Sequence, residues 1–90
     1  DRLAVDEDSV YIIDYNTTRP PPVEATHVAD AYLLQLAAYR LALAQMFPQK
    51  SLKAAILWTD GTRLMEISDT LLTTYERKLW ELGATNLDVS

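Results

Sequence analysis

The sequence predicts an α/β domain in which helices pack on a small mixed sheet, in the order ββαββα. Three observations carry this reading. Period-two alternation flanks an acidic turn near the amino end, a helical period runs between prolines in mid-chain, and a second hairpin signal precedes a second helical period. Ninety residues suffice for one domain with a modest core. Because the chain opens at Asp1 directly into the alternation Leu3, Val5, residues 1–90 read as a single partial domain, truncated at the amino end.

Asp1 to Val5 has the pattern of the tail of a strand, and Asp6-Glu7-Asp8-Ser9 is an acidic turn into a second strand over Val10–Thr17. Pleating puts Val10, Ile12, Asp14 and Asn16 on one face and Tyr11, Ile13 and Tyr15 on the other. Two polar groups thus follow two aliphatic ones on a single face. Pro20, Pro21 and Pro22 fix φ and lack backbone donors, so the strand stops and a stiff linker follows.

A helix is expected from Thr26, its N-cap, with Tyr32, Leu36, Tyr39, Leu43 and Met46 or Phe47 as the buried stripe and an end before Pro48. Leu52–Thr59 carries apolar residues at both parities and is expected to be an interior strand covered on both faces. Asp60-Gly61 turns the chain back through Arg63–Ile67. Ser68 caps a last helix with Leu71, Tyr75, Leu79 and Leu82 buried, and Gly83 is expected to end it in the left-handed conformation.

Composition excludes several classes of function. The formal charge of −5 opposes independent binding to a phosphate backbone. Asp30, Gln35, Arg40 and Gln45 interrupt the longest apolar stretch, Ala29 to Phe47, so no bilayer span is expected. A chain without Cys has no disulfide, thiolate zinc site or cysteine nucleophile, and it suits a reducing compartment such as the cytoplasm. Its single His, His27, falls near the expected helix start and reads as a solvent-facing residue. Two glycines cannot supply a dinucleotide fingerprint or a phosphate-binding loop.

What remains is a pair of carboxylates near strands, Asp1 and Asp14, the latter followed by the polar Asn16 on the same face. Hard divalent cations take oxygen ligands of this kind, and Mg²⁺ usually binds one or two carboxylates plus water and phosphate. A structural alternative is that Asp14 ends the strand and caps the proline turn. Gln35 and Tyr39 project from one helix face, and a glutamine on an apolar stripe calls for a partner such as Asp14 or a phosphate. Arg2 and Arg19 are open to either a phosphate contact or a surface salt bridge.

Asp1-Arg2-Leu3, Ile12-Ile13-Asp14-Tyr15-Asn16-Thr17 and Gln35-Leu36-Ala37-Ala38-Tyr39 resemble the successive motifs of the RecB-type branch of the PD-(D/E)XK nucleases. Leu57-Trp58-Thr59-Asp60 and Arg63-Leu64-Met65-Glu66 further resemble the carboxyl end of the AddA helicase–nuclease subunits of double-strand-break repair. The resemblance implies a restriction-endonuclease-like mixed sheet flanked by helices, with Asp1 and Asp14 as Mg²⁺ ligands and Gln35 and Tyr39 supporting the site or positioning DNA. Asn16 stands where the family carries a lysine that polarises the attacking water or stabilises the transition state. The family's preceding helix, first strand and metal-binding His have no counterpart before Asp1.

These features imply part of a Mg²⁺-dependent DNA exonuclease domain that is inactive in isolation and binds Mg²⁺ weakly or not at all. The expected partners are DNA in the parent protein, a second helicase–nuclease subunit, and a second copy through an exposed sheet edge. A nuclease-like scaffold or subunit interface without catalysis is the alternative.

Overall fold

A computed structural model describes residues 2–60 and 62–89. Strands β1 (Arg2–Val5), β2 (Ser9–Asn16), β3 (Ser51–Trp58) and β4 (Arg63–Ile67) form one sheet in that order, with α1 (Asp30–Met46) after β2 and α2 (Asp69–Val89) after β4. The sheet is mixed. β1 pairs antiparallel with β2, β2 parallel with β3 and β3 antiparallel with β4, as the ββαββα order requires once α1 supplies the crossover between the parallel pair.

The turn between β1 and β2 is closed by Asp6, whose Oδ1 accepts from the backbone N–H groups of Asp8 (2.9 Å) and Ser9 (2.8 Å) and from the Ser9 hydroxyl (3.0 Å). These bonds stabilise the ionised form and hold the Asp6 carboxyl below its ordinary value. Lys50 Nζ donates to the carbonyls of Asp6 and Glu7, tying this turn to the start of β3. The β3–β4 hairpin forms with Trp58 opposite Arg63, and Thr62 takes the positive φ of 50°. Gly61, the glycine expected there, lies outside the described residues.

One face of the sheet carries the core. Val10, Ile12, Ala54, Ile56, Trp58, Met65 and Ile67 meet Leu33, Leu36, Ala37 and Leu43 of α1 and Leu72 and Tyr75 of α2. Both helices therefore lie on this face. Among the described residues no helix covers the opposite face, where Tyr15 and Leu64 are exposed and Leu57 is half-buried. The expectation that β3 is covered on both faces is thus corrected: Ala55 is buried there because it is small and has strands on either side, not because a second layer covers it.

The helix boundaries also differ from expectation. Thr26 does not cap α1 but lies in a separate turn of 3₁₀ helix over Ala25–His27, and α1 begins at Asp30. Val28 interrupts the two because it is buried in the core in an extended conformation. The buried stripe of α1 is Leu33, Leu36, Ala37 and Leu43, whereas Tyr39 and Met46 are exposed and Tyr32 is half-buried. Rotation of the helix by about one residue lets the Tyr39 hydroxyl keep a polar partner instead of being driven into an apolar core.

Ser68 does cap α2, its Oγ accepting from the Leu71 N–H at 3.1 Å. The helix buries Leu72 and Tyr75, with Leu71 and Leu79 half-buried and Leu82 exposed. It continues through Gly83 to Val89, so Gly83 is not its terminator. A mid-helix glycine costs only about 1 kcal/mol relative to alanine, too little to end a helix whose neighbours continue it.

Two contacts lock the helices together. Arg40 donates from Nε to Glu76 Oε2 at 2.8 Å and from Nη2 to Oε1 at 3.1 Å, and from Nη1 to Asp69 at 3.0 Å. The Tyr75 hydroxyl donates to Asp30 Oδ1 at 2.6 Å while the Lys78 ammonium lies 4.3 Å from the centre of the same ring.

Candidate active site

In β2 the buried face runs Val10, Ile12, Asp14, Asn16, so the alternation that builds the core carries two polar side chains into it at the carboxyl end of the strand. The neighbouring parallel strand places Ile56 opposite Asp14 and Trp58 opposite Asn16. In open α/β sheets ligands bind outside the carboxyl ends of parallel strands, which is where this pair lies.

Asp14 is 8% exposed, and among the described residues its carboxylate accepts no hydrogen bond. Its oxygens are not enclosed, since among the described residues Trp58 Nε1 is the fully buried side-chain polar atom that lacks a partner. With no hydrogen bond to the backbone beyond it, Asp14 does not cap the proline turn. Asn16 does: its Oδ1 accepts from the Thr18 N–H at 2.9 Å and from the Thr18 hydroxyl at 2.6 Å, while its carbonyl accepts from the Thr59 N–H at 3.0 Å. The side-chain oxygen of Asn16 is thus used to end β2 ahead of Arg19 and the three prolines.

Gln35 and Tyr39 are brought together, but by each other. Gln35 Nε2 donates to the Tyr39 hydroxyl at 3.0 Å, and both residues are exposed. The partner expected for Gln35, Asp14 or a phosphate, is in the structure Tyr39, and Gln35 lies off the buried stripe. Tyr39 also borders an apolar cleft with Leu3, Ile12, Ala42 and Leu43, between β1 and α1. Ile12 precedes Asp14 on the same face of β2, so the Gln35–Tyr39 pair stands on the side of α1 that faces this strand. No hydrogen bond among the described residues joins Gln35 or Tyr39 to Asp14 or Asn16. Asp1 lies outside the described residues.

The other candidates are placed plainly. His27 is exposed on the 3₁₀ turn. Arg19 forms a long, exposed ion pair with Asp60 at 3.7 Å. Sequence reading missed Trp58. It is 1% exposed, directly opposite Asn16, and its Nε1 is the one buried side-chain polar atom without a partner among the described residues. The apolar run 54–58 announces a buried tryptophan, but nothing in it signals an orphan donor.

A model of the PD-(D/E)XK nuclease superfamily matches residues 1–85. The chain belongs to that superfamily. The mixed four-stranded sheet with its two helices is consistent with the restriction-endonuclease-like fold of PD-(D/E)XK nucleases, and this is a nuclease-like domain. No curated protein and no solved structure matches the chain.

PD-(D/E)XK nucleases generally use Mg²⁺, and the donor set can be tested against that ion. Asp14 fits as one carboxylate ligand, being buried, unbonded and at the strand end. The described residues contain no group of three or more His, Cys, Asp or Glu side chains that could hold a metal. They therefore supply part of a coordination shell that water and substrate phosphate would complete, the usual manner of Mg²⁺ binding. No helix among the described residues is long and apolar enough to cross a membrane.

Proposed function

We propose that this chain is the strand-end portion of a Mg²⁺-dependent DNA exonuclease domain within a helicase–nuclease of double-strand-break repair, and that it is inactive by itself. The observation that carries this reading is the Asp14 carboxylate, which stands on the core face at the carboxyl end of the parallel β2–β3 pair and accepts no hydrogen bond among the described residues. Membership of the nuclease superfamily supports reading that carboxylate as a metal ligand, shared with Asp1. A bound Mg²⁺ supplies activation of water and neutralisation of charge developing on the phosphodiester. Asp14 would hold the ion at the strand end, and the hydrogen bond between Gln35 and Tyr39 holds an exposed pair of donors and acceptors on the neighbouring helix for the DNA. The acidic balance of the chain means that affinity for DNA comes largely from the rest of the parent protein.

One observation favours a second reading, a nuclease-like scaffold without catalysis. Asn16 carries no charge, and its oxygen is committed to Thr18. The two readings separate in one assay, degradation of linear DNA by the parent protein with and without Mg²⁺, for wild type and Asp14→Ala. Metal-dependent degradation lost in Asp14→Ala supports the nuclease, and equal, metal-independent behaviour of the two supports the scaffold.

A further inference from the structure

The turn capped by Asn16 leads into a cavity that the site above does not use. Its volume is about 420 Å³, and its walls include Thr18, Pro20, Pro22, His27, Tyr32 and Trp58. Prolines and aromatic rings give it flat, rigid surfaces. Trp58 is also one of its walls, and the indole N–H of that residue is buried with no acceptor among the described residues. Such a donor loses the free energy of a hydrogen bond until an acceptor reaches it.

Two cations lie near the cavity's proline wall without lining it: Arg19 directly precedes Pro20 and pairs with Asp60 at 3.7 Å, and Arg63 donates from Nη2 to the carbonyls of Pro22 and Val23. Its polar boundary is shared with the candidate active site, because the Thr18 hydroxyl is bonded to Asn16 and Trp58 lies opposite Asn16. Asp14 is two residues back on the same face of β2, roughly 7 Å along the strand.

We propose that this cavity receives one unstacked nucleobase of the DNA strand whose phosphate lies at Asp14, a proposal that rests on the nuclease reading and names how the substrate is gripped. A nucleobase matches each feature. Its face stacks on Tyr32 and the proline surfaces, its ring nitrogens and carbonyl oxygens offer acceptors for Trp58, and its flanking phosphates meet Arg19 and Arg63. The cavity thereby selects a single-stranded end over a duplex, whose bases remain stacked.

The probes are a fluorescein-labelled thymidine hexanucleotide and a hexamer with the same phosphates but abasic sugars, bound to the full chain and followed by anisotropy. Base stacking on aromatic side chains predicts that the thymidine strand binds at least about fivefold more tightly. Tyr32→Ala brings it down to the abasic level, and Trp58→Phe, which keeps an aromatic ring but removes the N–H, weakens it about threefold to tenfold. Neither variant changes the abasic affinity. In a Trp80→Phe background, where Trp58 is the only tryptophan, the thymidine strand changes the emission and the abasic strand does not. Equal affinity of the two strands, or no binding of the thymidine strand, overturns the proposal. Asp14→Ala in the parent protein, assayed for Mg²⁺-dependent degradation of linear DNA, tests the underlying reading separately. Lost degradation with the thymidine-to-abasic ratio kept supports site and cavity together, unchanged degradation with the ratio kept removes the metal site alone, and a ratio of one removes the cavity alone.

Discussion

Asn16 and Thr18 are bound twice, the Oδ1 of one accepting from both the backbone N–H and the hydroxyl of the other, at 2.9 and 2.6 Å. This contact makes position 16 a turn residue as well as a neighbour of Asp14. Replacement by lysine, the residue that the motif resemblance expects there, therefore has two opposed effects. A cation near the scissile phosphate raises cleavage by the parent protein by about 10² to 10³-fold, the usual worth of one preorganised electrostatic group. The lost turn bonds lower stability by about 1 kcal/mol. Nuclease assays and thermal unfolding of Asn16→Lys and Asn16→Asp separate the effects, since Asp keeps the acceptor and adds no positive charge. A lysine variant that cleaves no faster than wild type places Asn16 outside the catalytic machinery.

Metal binding follows from the donor count. With one carboxylate at the strand end and no cluster of three ligands among the described residues, we expect Mg²⁺ to bind the isolated chain weakly and Asp14→Ala to abolish what binding there is. Calorimetry checks both points. Sub-micromolar affinity would mean that the protein supplies more ligands than Asp14 and Asp1.

The Tyr75–Asp30 hydrogen bond at 2.6 Å raises the phenol above its ordinary value of 10.0, with burial and the negative charge of Asp30 adding in the same direction. A folded pKa above the unfolded one gives stability that is complete below about pH 10 and is lost as pH rises through the folded value. Tyr75→Phe is expected to cost about 1 kcal/mol at neutral pH, a fall in Tm of roughly 4–8 °C. The gap between wild type and variant closes as pH climbs past 10. A gap that stays constant from pH 7 to 11 would assign the cost to packing rather than to the phenol.

Among the described residues β1 has a strand on one side only, and its Leu3 and Val5 are 49% and 52% exposed. An open edge with apolar side chains invites strand addition. We expect the isolated chain to dimerise at high concentration and Leu3→Lys with Val5→Lys to keep it monomeric. Sedimentation velocity gives the answer, and a wild-type monomer at millimolar concentration would contradict this.

Local chemistry was enough to read most of the fold from the residues. Period-two alternation places Asp14 and Asn16 on the core face, prolines end β2 and precede α1, and Ser68 caps α2, because each depends on neighbours a few residues away. The same is true of the spacing that lets Gln35 reach Tyr39. Tertiary packing decided the rest. Burial of Val28 moved the start of α1 from Thr26 to Asp30 and turned its apolar face to Leu33 and Ala37. The placement of both helices on one side of the sheet left Tyr15, Leu57 and Leu64 without a second layer, which alternation within a single strand cannot foretell. Parallel pairing of β2 with β3 set Trp58, whose indole N–H lacks a partner among the described residues, opposite Asn16 across more than forty residues of chain, beside the cavity that Trp58 and Thr18 line. Residues so far apart in sequence acquire a joint chemistry only when the sheet register aligns them.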